Sequence, residues 1–269
     1  MMERVVGGRK VFAALGGRPF DPGLPAVVMV HGAGFDHTTW VLQTRYLADR
    51  ECSVVAVDLP GHGRSEGPPL TSIGAMGDWV VGVLDALGAE RATVVGHSMG
   101  GLVAVQAAAD HPDRIERIAL LGVADAIPVH PDLLAAAAAD EPRAADLVAR
   151  WSVSTTGHAA GTVHPGARLR ESTRRLLERA APGVLSADLR ACHDRGSVVD
   201  TARRVACPVV VIAASADKMT PVAGARVLTD AFPSARLVVA EGSGHLMMSE
   251  APDLVNETLG LFCVADTAR

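Results

Sequence analysis

The feature that most constrains this 269-residue chain is Gly96-His97-Ser98-Met99-Gly100, directly after the apolar run Ala92-Thr93-Val94-Val95. A G-x-S-x-G pentapeptide where a strand should end and a helix begin requires the chain to double back within a few residues. A side chain at either glycine would clash with the neighbouring strand or helix, so Gly96 and Gly100 supply the missing bulk. Strain in such a turn holds the Ser98 hydroxyl out at a helix N-terminus, where unpaired backbone amides favour developing negative charge. A glycine-rich turn of a nucleotide-binding fold, with Ser98 as a helix cap, is the competing reading of the pentapeptide alone.

The surrounding pattern is that of an α/β protein with a mostly parallel central sheet flanked by helices. Arg4 to Val6 and Lys10 to Ala13 flank Gly7-Gly8 and suggest an antiparallel edge hairpin. Buried-strand candidates follow at Ala26 to Val30, Ser53 to Val57, Ala92 to Val95, Ile115 to Leu121, Pro208 to Ala213 and Arg236 to Ala240. Helices are expected at Thr39 to Asp49, Ile73 to Leu87, Ser98 to Ala109, Val222 to Ala231 and Asp253 to Phe262. In the second of these, Ile73, Met76, Val80, Val83, Leu84 and Leu87 fall on one face.

Between Gly122 and Arg204 the alternation stops. Helical patterns at Asp132 to Ala139, Pro142 to Trp151, Arg168 to Ala180 and Ser186 to Arg195 are joined by a looser Ser152 to Gly161 stretch. The segment far exceeds an ordinary connection. It predicts a core of residues 1–121 and 205–269 and a helical lid, 122–204, inserted after the sixth strand and lying over the sheet edge where ligands bind. Two crossover helices and a long loop are the plainer alternative. Five arginines, Arg168, Arg170, Arg174, Arg175 and Arg179, crowd one of these helices beside Glu171 and Glu178. They fit either an anion-docking site or a solvated helix face.

A serine hydroxyl needs a base, and the base an orienting group. Asp217 follows the strand ending at Ala213, and His245 follows the last strand in Glu241-Gly242-Ser243-Gly244-His245. The loop His31-Gly32-Ala33-Gly34 follows the first parallel strand. Backbone amides of Met99 and Ala33 are the expected oxyanion donors, with glycine at 32 and 34 allowing close approach. Gly32, Gly34, His97, Trp151 and Leu246 are candidates for the substrate pocket. Asp125, four residues past Leu121, competes with Asp217 for the acid position. His31 and His97 read as structural, Asp58 and Arg64 as braces of a turn, and Asp36 and His37 as caps or pocket neighbours.

With Ser98, Asp217 and His245 in that chain order, the sequence resembles the α/β-hydrolase fold, in particular lid-bearing serine esterases and lactonases. Asp58-Leu59-Pro60-Gly61-His62-Gly63-Arg64-Ser65 resembles the family's D-x-x-G-x-G-x-S turn, and Gly244 to Pro252 its run from catalytic histidine into the final helix. The resemblance covers about residues 20–121 and 205–263. It implies an acyl-enzyme on Ser98, no cofactor, and a small or medium ester, lactone or thioester as substrate. Related triads also serve carbon–carbon bond hydrolases, haloperoxidase-like perhydrolases and acyltransferases, and a non-catalytic ligand receptor could keep the fold. Serine at 98 argues against a haloalkane dehalogenase or epoxide hydrolase.

Charge and composition narrow the partners. A formal net charge of -5 argues against a general nucleic-acid binder. No apolar stretch approaches the ~18 residues of a membrane span, and the N-terminus has no signal-peptide pattern, so a cytoplasmic protein is expected. Cys52, Cys192, Cys207 and Cys263 form no C-x-x-C pair, and the ten histidines no metal-ligand spacing, so no metal is expected. Monomer and homodimer both stay open.

Overall fold

The computed structural model describes residues 1–154 and 168–264. Eight strands form one sheet in the order β1-β2-β4-β3-β5-β6-β7-β8. β1 (Met2–Val6) and β2 (Arg9–Ala14) pair antiparallel at one edge. β2 runs antiparallel to β4 (Ser53–Val57), and from there every pairing is parallel, through β3 (Ala26–Val30), β5 (Ala92–His97), β6 (Ile115–Leu121), β7 (Val209–Ala214) and β8 (Ala235–Ala240). The central strands are runs of valine, isoleucine and alanine because helices cover both faces. Val27, Val28, Met29 and Val30 are wholly buried, as are Val209 to Ala214 of β7.

The parallel register matters most at the carboxyl ends. Val30 pairs with Gly96, His97 with Leu121, Leu121 with Ile212, and Ala214 with Ala240. The loops that leave β3, β5, β6, β7 and β8 therefore emerge along one edge of the sheet.

Helix α1 (Val41–Ala48) is entered through a 3-10 turn at His37–Trp40, capped by Asp36, whose carboxylate accepts from the Thr38 amide at 2.9 Å. The helix expected from Thr39 is thus tightened in its first turn. α2 (Ile73–Leu87) buries the predicted face, starts on the Ser72 cap and stops at Gly88 in the left-handed region. α3 (Met99–Asp110) begins one residue later than expected, because Ser98 has φ 52° and ψ -117° and lies outside the helix. A Cβ on Gly96 would overlap the Gly100 carbonyl, and one on Gly100 would overlap the Val30 carbonyl. These backbone approaches hold the turn in a conformation that a non-glycine residue rarely adopts.

Between β6 and β7 the described residues form α4 (Pro131–Ala138), α5 (Pro142–Ser152), α6 (Leu169–Glu178), α7 (Val184–Arg195) and the short α8 (Val199–Ala202), with no strand. Residues 155–161 of the looser stretch lie outside the described residues. Beyond β7 come α9 (Val222–Ala231), the short α10 (Met247–Glu250) and α11 (Pro252–Val264). Among the described residues, no helix is long and apolar enough to cross a membrane.

Gly100→Ala is expected to destabilise the protein by more than about 2 kcal/mol in urea unfolding, since the backbone it meets must move. The control Gly74→Ala, in the first turn of α2 with open space around it, is expected to be neutral or stabilising by about 0.5 kcal/mol.

Candidate active site

His245 is buried in the loop after β8, and its Nδ1 lies 2.7 Å from Asp217 Oδ2 in the loop after β7. Asp217 is fixed in turn. Its Oδ1 accepts from the Met219 and Thr220 amides at 2.7 and 3.0 Å, and its Oδ2 accepts from Thr220 Oγ1 at 2.7 Å. Burial alone would raise the Asp217 carboxyl, but the charge and hydrogen bond of His245, with the Thr220 donors, outweigh it and hold the group below the usual carboxylate range. Asp125 lies elsewhere. Its backbone bonds Gly224 and Val198, and its carboxylate packs beside Gly224. The carboxylate that reaches the His245 ring is that of Asp217.

The Ser98 elbow adjoins this pair through its neighbour. The His97 ring lies 4.7 Å from the His245 ring, and His97 Nε2 donates to the His245 carbonyl at 3.0 Å. Burial, followed by the nearby His245, pushes the His97 imidazole well below its ordinary value. His97 is thus neutral, stacked on Phe35 and edge-on to Trp40.

The loop after β3 is held peptide by peptide. The Gly32 carbonyl accepts from His31 Nδ1 at 2.8 Å and from the Phe35 amide at 3.1 Å. Since Nδ1 donates, Nε2 carries the lone pair that accepts from the Leu59 amide at 3.1 Å. Burial, then the neighbouring His62, lowers the His31 pKa to about 3, so this tautomer persists across the working pH range. A trans peptide points its N–H opposite its C=O. Anchoring the Gly32 carbonyl therefore aims the Ala33 N–H away from that anchor. Among the described residues the Ala33 and Met99 amides donate to no group. Met99 is the first residue of α3, where the helix itself offers no partner.

Ser98 and Ala33 open onto a cavity of about 500 Å³. Its walls are mostly apolar, with Ile127, Val129, Leu133, Trp151 and Leu189 among them and His130 and Lys218 as polar members. Trp151, a pocket candidate, is at this cavity. Burial raises the Cys192 thiol, which stays protonated at neutral pH and is a poor nucleophile. The other pocket candidates, Gly32, Gly34, His97 and Leu246, do not line this cavity. Gly32 packs against His97 and the Ser98 Cβ, Gly34 faces Leu177 and Leu185, and His97 is wholly buried. Leu246 lines a neighbouring cavity of about 350 Å³ with Phe35, Thr39, Arg175 and Arg179. On the arginine-rich helix, Arg174 pairs with Glu171 and Glu178, and Arg175 with Glu171. Two of the five arginines thus belong to an intrahelical ladder.

Sequence reasoning missed Thr220, whose hydroxyl bridges Asp217 and His245, and Asp188, whose carboxylate accepts from the Gly34 amide at 2.8 Å. The T-P pair after Asp217 was readable only as a helix start, and Asp188 sits in a helix far along the chain. One group among the described residues, Asp36, His37 and Asp58, brings three ligand-type atoms within 4.8 Å. Much of its bonding capacity serves a turn. Asp58 accepts from the His37 amide and Nδ1 and from the Arg64 amide, and Asp36 from Thr38.

The chain is similar to several known proteins. The model of a family described as the alpha/beta hydrolase family matches residues 27–258. An uncharacterized protein of Mycobacterium tuberculosis is 33% identical over 246 residues, covering 85% of this chain and 72% of that one. A pimeloyl-acyl-carrier-protein methyl ester esterase of Aromatoleum aromaticum is 30% identical over 254 residues, covering 85% and 94%. The crystal structure of the enol-lactonase from Burkholderia xenovorans superposes with a TM-score of 0.86 at 25% identity, covering 98% of this chain and all of that one.

A depressed Asp217 pKa adds stability above the unfolded carboxyl pKa of about 4, and this is lost as pH falls through the folded value. In chemical unfolding, the stability gap between wild type and Asp217→Asn is therefore expected to narrow steadily as pH drops from about 5 to about 3.

Proposed function

The chain belongs to the alpha/beta hydrolase family, and from that premise we propose that it is a serine hydrolase of small or medium carboxylic esters, lactones or thioesters. The observation that carries this is the 2.7 Å bond from His245 Nδ1 to the buried Asp217 carboxylate, at the sheet edge where Ser98 sits in a strained turn. Asp217 keeps the proton on Nδ1 and leaves Nε2 as the base. His245 takes the Ser98 proton as Oγ attacks the substrate carbonyl carbon, and the carbonyl π pair moves onto oxygen.

That oxyanion would accept from the Met99 and Ala33 amides, which are already oriented and cost little reorganisation. On collapse, the bond to the leaving oxygen or sulfur breaks and His245 returns the proton to it. Water then enters by the same route, and hydrolysis of the acyl-enzyme restores Ser98. The acyl group would occupy the apolar cavity, whose size is that of an ordinary small-molecule site. The segment between β6 and β7, from Ile127 to Cys192, supplies most of its wall, which supports its role as a lid. The ester and lactone activities named for the Aromatoleum and Burkholderia proteins favour the same bond class.

Ser98→Ala is expected to lower turnover of p-nitrophenyl butyrate by at least about 10³-fold with an unchanged melting curve, and to abolish fluorophosphonate labelling. Turnover retained by that variant refutes the mechanism. Asp217→Asn is expected to lose about 10³-fold or more in kcat, against less than about threefold for Asp125→Asn. The reverse ranking would move the acid to β6.

A further inference from the structure

Asp188 lies in the second turn of α7 with its side chain wholly buried. A carboxylate is placed there at a cost unless it is paired and hydrogen-bonded. Its Oδ2 takes two bonds, from the Gly34 amide at 2.8 Å and from His62 Nε2 at 2.8 Å. The other ring nitrogen of His62 lies 3.0 Å from the Pro60 carbonyl. Both nitrogens thus face acceptors, which calls for a proton on each and makes the pair a charged one. The Asp188 charge and hydrogen bond accordingly outweigh burial and raise the His62 pKa.

Gly34 is one peptide beyond the Ala33 amide. The preceding peptide is fixed through the Gly32 carbonyl, so the bond to Asp188 fixes the plane that follows. With both flanking planes held, Ala33 has little freedom left. The residues that wall the cavity from the same helix, Leu189 and Cys192, lie one and four positions further on.

We propose that Asp188 is a positioning residue for the oxyanion: from a helix outside the sheet edge, it holds the Ala33–Gly34 peptide so that the Ala33 amide meets the carbonyl oxygen Ser98 attacks. This rests on the serine-hydrolase reading above and adds a residue that the Ser98, Asp217 and His245 arrangement does not contain. It also makes one rigid helix both a wall of the acyl site and a support of the oxyanion loop, so the seating of α7 and the rate of the chemical step are linked.

The test compares the full chain with Asp188→Ala and Asp188→Asn. Fluorophosphonate titration counts competent active sites, so kcat refers to folded enzyme. Alanine removes the acceptor. Asparagine keeps the shape, but it cannot restore the charged bond to both His62 and Gly34. With p-nitrophenyl butyrate, kcat per titrated site is expected to fall about 10²-fold in Asp188→Ala and about tenfold in Asp188→Asn, with KM within about threefold. Binding of a trifluoromethyl ketone, whose adduct with serine carries an oxyanion, is expected to weaken by the same factors, while binding of butyrate changes little. Should alanine fail to fold, the isosteric asparagine variant decides alone. A kcat within about twofold of wild type, or equal weakening of the ketone and butyrate, overturns the proposal. Ester turnover surviving in Ser98→Ala would instead overturn the hydrolase reading, whatever Asp188 does.

Discussion

The tight passage from β5 into α3 is the constraint on which the rest depends. There is no room for a Cβ at Gly96 or Gly100, because the chain crosses its own backbone and that of β3. The crossing leaves Ser98 at φ 52°, a conformation an isolated serine would avoid. It persists because the parallel pairing of β5 with β3 on one side and β6 on the other fixes the strand end of the turn. The same register aligns the ends of β7 and β8, so that Asp217 and His245 reach each other although 28 residues separate them. Strain at one residue and hydrogen bonding between the other two therefore share a single cause, the in-register parallel sheet.

What could be read in the sequence follows from this. Strands buried on both faces announce themselves as uninterrupted Val and Ile runs, and a helix such as α2 announces its face by its period and its ends by Ser72 and Gly88. Residues that follow strand ends inherit that legibility, which is why Ser98, Asp217, His245 and the His31–Gly34 loop could be named from the chain alone. Details set by geometry within a turn were less readable. The start of α3 moved by one residue because the strain excludes Ser98 from the helix, and α1 acquired a 3-10 entry because Asp36 caps at Thr38.

The polar contacts of the helices between β6 and β7 were not readable, for a physical reason. Asp188 and Gly34 are 154 residues apart, and a lone carboxylate in Ser-Ala-Asp-Leu-Arg looks like any solvated helix position. Only the packing of α7 against the loop after β3 makes it a buried acceptor. The arginines of α6 pose the opposite case. A dense basic stretch draws notice in a sequence, yet Arg174 and Arg175 are neutralised locally by Glu171 and Glu178. The helices grip the core at a second place too, since the Leu246 amide donates to the Ser152 carbonyl at the end of α5. The loops after β3 and β8 thus both lean on chain that carries none of the recognisable motifs.

Three histidines around the site show how neighbours divide one side-chain type into separate tasks. His31 is neutral because its ring donates to one backbone group and accepts from another, and burial removes the charged alternative. His62 faces two acceptors, one of them a carboxylate, and is held charged. His97 has a single donated bond, to the His245 carbonyl, and is held neutral. That neutrality has a consequence for the proposed chemistry. The base must become an imidazolium while Ser98 is attacked, and a second positive charge at a ring separation of 4.7 Å would oppose it in a site with little water to screen the pair. A neutral His97 removes that repulsion and still braces the His245 backbone. In the proposed chemistry the polar shell around the site therefore has two tasks: the His31 and Asp188 contacts would fix where negative charge is received, and His97 would leave room for positive charge to form.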